Sequence, residues 1–413
     1  MLQNQDNARS PVAFDPYAPG VVEDPAPMLA RLREEAPILY WEQGRTWVVS
    51  RYDDVVALIR DPRFTTDRAA WEFAKDEQMV AVRCPEFDEV TKGDLFALSP
   101  KDHARVRKLV SPSFTPRAIE RLRPAVQRIV DETIAAATTG DTLDVARDFA
   151  EPIPVSVISA MLNIPERHQA CFHRFADASI RQLFPSLITP AEAEKISGYV
   201  REGLAMIGEV IEDRRKNPIE GDILTSLIQA EEQGDRLNKM ELLSLVAALI
   251  VGGSETTVHL IGFMVLNLLR RPEVLAQVQA EPELIKGVLE EVLRLDNFGK
   301  LGLQRYATED VEIGGVTIKK GQMVMLLIPS ALRDEAVFPR ADTFDPRRDA
   351  GASIAFGQGA HYCLGVNLAR LEGQIAVGTL LQRFPRMQLL GDPVFGPHPA
   401  IRKLDSLKVR LNS

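Results

Sequence analysis

Ten residues near the C-terminal end bring a thiol, an imidazole and three glycines together: Phe356-Gly357-Gln358-Gly359-Ala360-His361-Tyr362-Cys363-Leu364-Gly365. Glycines let the backbone turn tightly and let a flat ligand come close. Leu364, Leu368, Leu371 and Ile375 recur at helical spacing, and no proline appears until Pro385, so a helix should follow at once. Cys363 then lies at or just before a helix N-terminus, where the helix dipole and free N–H groups lower a thiol's pKa. A thiolate held this way suits one open metal coordination position. No Cys or His stands nearby at zinc-ligand spacing, which argues against structural zinc. A buried structural cysteine is the plainer reading, but it accounts for neither the glycines nor His361.

A second group of reactive types sits mid-chain, at Gly252-Gly253-Ser254-Glu255-Thr256-Thr257. Residues 240–269 contain no proline and read as one buried helix, about 45 Å long at 1.5 Å per residue. Each mid-helix glycine costs about 1 kcal/mol against alanine, so a pair makes better sense as clearance than as stability. Gly252 and Thr256 share a face, and Ala248 lies one turn earlier. A carboxylate at Glu255 beside an alcohol suits proton delivery. Thr256 alone could simply bond back to its own helix, and His259 could be a core histidine. His103 and Arg107 are four apart on one helix face and suit a bidentate acid, although a solvated basic helix has the same pattern. Glu291 and Arg294 are spaced for an ordinary surface ion pair. Leu301, Leu303 and Arg305 alternate on one face of a strand.

The cysteine loop resembles the haem-binding loop of the cytochrome P450 family, Phe-Gly-x-Gly-x-His-x-Cys-x-Gly, with every fixed position filled. The mid-chain segment is similar to that family's Ala/Gly-Gly-x-Asp/Glu-Thr motif, and His103-x-x-x-Arg107 followed by Ser111-Pro112-Ser113-Phe114-Thr115-Pro116 is similar to another of its patterns. The resemblance runs from about residue 14 to residue 411. It implies haem b with Cys363 as the iron ligand, whose electron donation favours O–O cleavage. It implies a cofactor site of Phe356, Gly357, His361, Gly365 and Gly252, with His103, Arg107 and Arg305 toward the propionates. Glu255 and Thr256 would be catalytic, Ala248, Gly252, Leu301, Leu303 and Ile401 would line the pocket, and Glu291 with Arg294 would form a buried network. Many members carry an acidic or amide residue where Arg340 stands here.

The elements that must position these groups follow from periodicity and breakers. The expected fold is mainly α with small β-sheets, the haem buried between the long central helix and the cysteine-loop helix. Helices are expected at 25–35, 55–60, 169–181, 191–216, 222–232 and 284–295, with a break at Phe184-Pro185-Ser186-Leu187, and in the apolar run 145–162 Pro152 and Pro154 mark the helix start. A further helical stretch at 117–138 should be split near Pro124. Hairpins are expected around Gln43-Gly44 and Gly314-Gly315, a buried strand at 323–327, and strands and turns over 394–411. Residues 65–98 look irregular, and the resemblance places them over the pocket. Residues 1–13 read as a flexible arm and 14–413 as one catalytic domain.

A chain of 413 residues with 45% hydrophobic content can enclose a large cofactor. Net charge is −9, with no general nucleic-acid signal. The polar N-terminus is neither signal nor anchor, and residues 242–251 are too short to span a bilayer, so no membrane is expected and a cytoplasmic location is. Three cysteines fit a reducing compartment. The expected activity is a monooxygenase using O2 on a lipophilic small molecule: a macrolide, polyketide, drug-like compound, steroid or fatty acid. Electrons would come from a ferredoxin-type partner and its reductase, docking near Arg105, Lys108 and Arg117. A peroxide-driven peroxygenase and a non-catalytic haem sensor are the alternatives. Neither needs the Glu255–Thr256 pair.

Overall fold

The computed structural model describes residues 12–411, except 139, 221 and 233–236. The expected arm thus lies mostly outside the described residues. Its end does not: Val12 is buried with Phe14, Leu29 and Trp41.

The largest core joins the central helices to the helix Val366–Arg383, which leads away from the cysteine loop. Burial of this kind, at about 25 cal/mol per Å² of apolar surface, is the main force assembling the elements. The expected single central helix is two consecutive pieces, Lys239–Gly253 and Glu255–Leu269, interrupted at Ser254 (φ −97°, ψ −78°). Two glycines weaken the ladder there, and the hydroxyls of Ser254 and Thr256 bond back to Ile250 O at 2.8 Å and Gly252 O at 2.9 Å. By length and composition Lys239–Leu269 could cross a membrane, a point the ten-residue count over 242–251 missed. Its hydropathy is accounted for by the protein core in which most of it lies.

A five-stranded sheet packs beside the helices in the order Ile38–Trp41, Thr46–Val49, Met323–Leu326, Leu303–Ala307, Phe64–Thr65. Thr46–Val49 runs parallel to Met323–Leu326, with Thr46 opposite Met323, and the other pairings are antiparallel. The first hairpin turns tightly because Gly44 lies against the Trp41 ring, where a Cβ would be 2.1 Å away. Leu301 lies just before the strand that was expected to contain it, since pairing begins at Leu303. Residues 65–98 are more regular than expected and hold the helices Glu77–Val82 and Pro85–Thr91. Asp76 caps the first by accepting from Gln78 N, and Pro85 opens the second. The 117–138 stretch divides as Pro124 predicts, into Pro116–Glu120 and Arg123–Ala137.

Glu291 and Arg294 form a buried bidentate pair at 2.7 and 3.0 Å, not a surface one. Arg294 also donates to Leu332 O, Ala341 O and Thr343 O, and Glu291 accepts from Asp345 N and pairs with Arg348 at 3.1 Å. This knot ties the helix Ile285–Leu295 to the segment ahead of the cysteine loop. Arg340 stands at φ +54°, a left-handed position that asparagine tolerates better than arginine, with its side chain largely in solvent. That backbone geometry gives the physical reason for amides at this position.

Candidate active site

Cys363 is fixed by its own loop. Its N–H donates to Phe356 O at 2.9 Å, and Gly357 and Gly359 adopt φ of +71° and +70°, which side-chain-bearing residues rarely do. The helix begins at Val366 with Gly365 as its cap. The expectation of a thiol lowered by the helix end holds only in part. Burial pushes the thiol up, against the opposing backbone N–H groups of Gly365 and Val366 and the Arg107 and Arg370 guanidiniums. The local field therefore favours a thiolate but needs a bound cation to complete the stabilisation.

Around the cysteine the donors converge. The His103 and His361 rings lie 4.5 Å apart, Phe96 stacks on His361 at 5.4 Å, and the Arg107 guanidinium donates to Tyr362 O. His361 is driven down to about 4 by burial and then by His103, Arg305 and Arg107. His103 Nε2 is buried without a hydrogen-bond partner. Four cationic or donor groups facing one another, with an unsatisfied nitrogen, fit a ligand that brings anionic groups. Arg305 is buried in the sheet and spends one N–H on Gln304 O at 2.8 Å.

On the opposite side the buried central helix opens. Gly252 is exposed and Ala248 and Thr256, on the same face, are half-buried. A Cβ on Gly252 would meet nothing within 4 Å, whereas one on Gly253 would lie 2.5 Å from the Ile158 side chain. Only the first glycine makes open space; the second makes room for packing. A flat group bound by Cys363, with Phe356 and Leu303 near it, could occupy this opening. The donor set thus fits a haem, with its acidic edge on His103, Arg107, Arg305 and His361.

Ile401 sits in a cluster with Ile180 and Ala400, against Phe184, Val251 and Phe298. Leu301 lines a cavity under residues 183–187 with Trp71, Met323, Met325 and Arg68. Trp71 Nε1 and an Arg68 nitrogen there are buried and unpartnered. Sequence reasoning missed both, because nothing local to Arg68 or Trp71 marks its position. Arg105, expected to face a partner protein, instead pairs with the buried Glu241 carboxylate at 3.1 Å; Lys108 and Arg117 are exposed. Glu255 is mostly buried, and His398 and His259 stand 3.6 and 3.9 Å from it. Those partners come from another loop and from one turn along the helix, so only His259 was within reach of the sequence.

The family model for cytochrome P450 matches residues 70–388. The chain is 51% identical to the epothilone C/D epoxidase of Sorangium cellulosum, over 99% of this chain and 97% of that one. It is 36% identical to the cytochrome P450 monooxygenase PikC of Streptomyces venezuelae, over 98% and 96% of the two chains. Among solved structures it is similar to epothilone D-bound cytochrome P450epoK, with a TM-score of 0.93, 51% identity and coverage of 97% of this chain and 99% of that one. The chain belongs to the cytochrome P450 family. It is a haem monooxygenase that takes a small-molecule substrate, O2 and electrons from a redox partner.

Proposed function

We propose that this enzyme oxidises a macrolide-type polyketide, by epoxidation of a carbon–carbon double bond or by hydroxylation, in the cytoplasm. The observation that carries the substrate class is the near full-length 51% identity to an epothilone epoxidase.

Residues 14–413 act as one catalytic domain. The cofactor is haem b, which supplies the binding and activation of O2. Cys363 is its ligand, in the loop of Phe356, Gly357 and Gly365, and His103, Arg107, Arg305 and His361 hold the propionates. Ala248, Gly252, Leu301, Leu303 and Ile401 line the space for substrate. Thr256 presents its hydroxyl oxygen toward that space while its proton rests on Gly252 O, so it can accept and pass on a hydrogen bond without moving its backbone. Glu255, one residue earlier, is the internal acid. Burial pushes its carboxyl up, but the His259 ring at 3.9 Å, the His398 ring at 3.6 Å and the Lys403 ammonium outweigh this and hold it below the ordinary range. It is a charged acceptor awaiting a proton. A ferredoxin-type protein with its reductase supplies electrons.

Incubation with epothilone D, ferredoxin, ferredoxin reductase and NADPH tests the reading. The expected result is NADPH-dependent product one oxygen atom heavier, with little formed from hydrogen peroxide alone. Product from peroxide alone would favour the peroxygenase, and binding of the macrolide without turnover would favour the sensor. Thr256→Ala should keep NADPH consumption while product per NADPH falls by about tenfold or more, within the usual range for acid–base groups. Full coupling would refute the role given to Thr256.

A further inference from the structure

Glu255 must regain a proton after each delivery, and the loop carrying Ile401 shows what serves it. His398 is 3% exposed, and its Nε2 stands 3.6 Å from Glu255 Oε1. Its other nitrogen accepts from two backbone donors, Ala400 N at 3.2 Å and Ile401 N at 3.0 Å. A nitrogen that accepts carries no proton, so the ring proton lies on Nε2, on the side of Glu255 but just beyond hydrogen-bond reach of it.

The mount is rigid. Pro397 and Pro399 flank His398, and Lys300 Nζ donates to His398 O at 2.9 Å. Tyr17 donates to Pro399 O at 2.7 Å, and Lys300 N donates to Ala400 O at 2.8 Å. Beyond His398 stands Asp177, on the helix Gln169–Gln182, with its side chain 34% exposed. One oxygen of Asp177, one of Glu255 and one nitrogen of His398 lie within 4.8 Å of one another. Asp177 Oδ2 is held by Arg181 at 3.1 Å, while Oδ1, 3.6 Å from the Lys403 ammonium, has no hydrogen-bond partner; nor has Glu255 Oε2.

We propose that Asp177 is the solvent-side acid that reloads Glu255 with protons, and that His398 is the positioning residue that aims the Glu255 carboxylate for the exchange. This rests on the assignment of Glu255 as the internal acid. A proton leaves the Asp177 carboxyl and joins the Glu255 carboxylate, directly or through one bridging water, and Asp177 takes its replacement from solvent. No electrons move. His398 does not itself carry the proton: losing its Nε2–H would leave an imidazolate, because its Nδ1 is already engaged by two N–H groups. The same fact rules against a divalent cation among these three groups, since His398 turns a proton, not a lone pair, toward them. Burial keeps His398 neutral, pushed down to about 4 even though Glu255 and Asp177 pull it up; Arg181 and Lys403 add to the lowering.

Two measurements test this on the full-length haem protein. In resting enzyme labelled at histidine nitrogen, NMR should show His398 protonated at Nε2 from pH 5.5 to 8, with a shift that moves in Glu255→Gln. A Nδ1–H tautomer would overturn the positioning role. In turnover with epothilone D, Asp177→Asn should lower product formation about tenfold and raise the solvent deuterium isotope effect, with unchanged substrate-binding affinity. His398→Ala should do the same and His398→Gln, which keeps a donor, should recover most of the loss. A native rate and isotope effect in Asp177→Asn would overturn the reloading role even if His398→Ala fails to fold. Glu255→Gln separates the two levels. If it too turns over normally, the assignment of Glu255 has failed; if it is slow while Asp177→Asn is normal, only the present inference has.

Discussion

Cys363 shows two local effects in competition. The helix end and two guanidiniums favour the thiolate, and burial opposes it more strongly. The cysteine loop, the Glu255–Thr256 pair and His103 with Arg107 were legible in the sequence because each is a short run whose spacing alone sets the shared face or turn. Arg68, Asp177, Arg348 and His398 were not. Their meaning lies in contacts across tens to hundreds of residues, which no local period records. Glu291 was half legible: the spacing to Arg294 was visible, but burial and the third partner, Arg348, were not. Removing one charge from a buried, hydrogen-bonded set leaves its partners uncompensated. Glu291→Gln should therefore cost about 3–5 kcal/mol and lower the yield of haem-loaded protein, as read by denaturant unfolding and the Soret absorbance. A loss near the few tenths expected of a surface pair would contradict the buried network.

The central helix is where periodicity and structure part at the scale of an element. Its ends and apolar content were legible, but the break at Ser254 was not, because glycine pairs are tolerated in many helices that do not open. The two glycines now separate by what they face. Gly252→Ala meets open space and improves helix propensity, so it should stabilise the apoprotein by up to about 1 kcal/mol while narrowing the site. Gly253→Ala drives a methyl into Ile158 and should destabilise by about 1–3 kcal/mol. Thermal melting of both variants checks the pair; equal effects would contradict the division. The helix splits at Pro124 and before Pro185 were read correctly, because proline acts on the backbone next to it and needs no tertiary partner.

For the molecule as a whole, the class mainly α with small sheets followed from the sequence, whereas the sheet order did not. Thr46–Val49 pairs with Met323–Leu326, some 275 residues away, and parallel pairing at that range leaves no turn signal. At the surface, Arg105 of the expected docking face already pairs with Glu241. Lys108 and Arg117 remain exposed beside the site. Reversing both charges should slow reduction by an acidic ferredoxin several-fold at low salt, with the difference shrinking as salt rises. Stopped-flow reduction rates check this, and an unchanged rate at low salt would place the docking face elsewhere.

The central claim is that Cys363 holds the haem iron as a thiolate. The direct measurement is the absorption spectrum of the reduced protein with carbon monoxide, for the native chain and for Cys363→His. The account predicts a red-shifted thiolate-type Soret band in the native protein and its loss in the variant. A band that survives the substitution, or a native protein that takes up no haem, would contradict it.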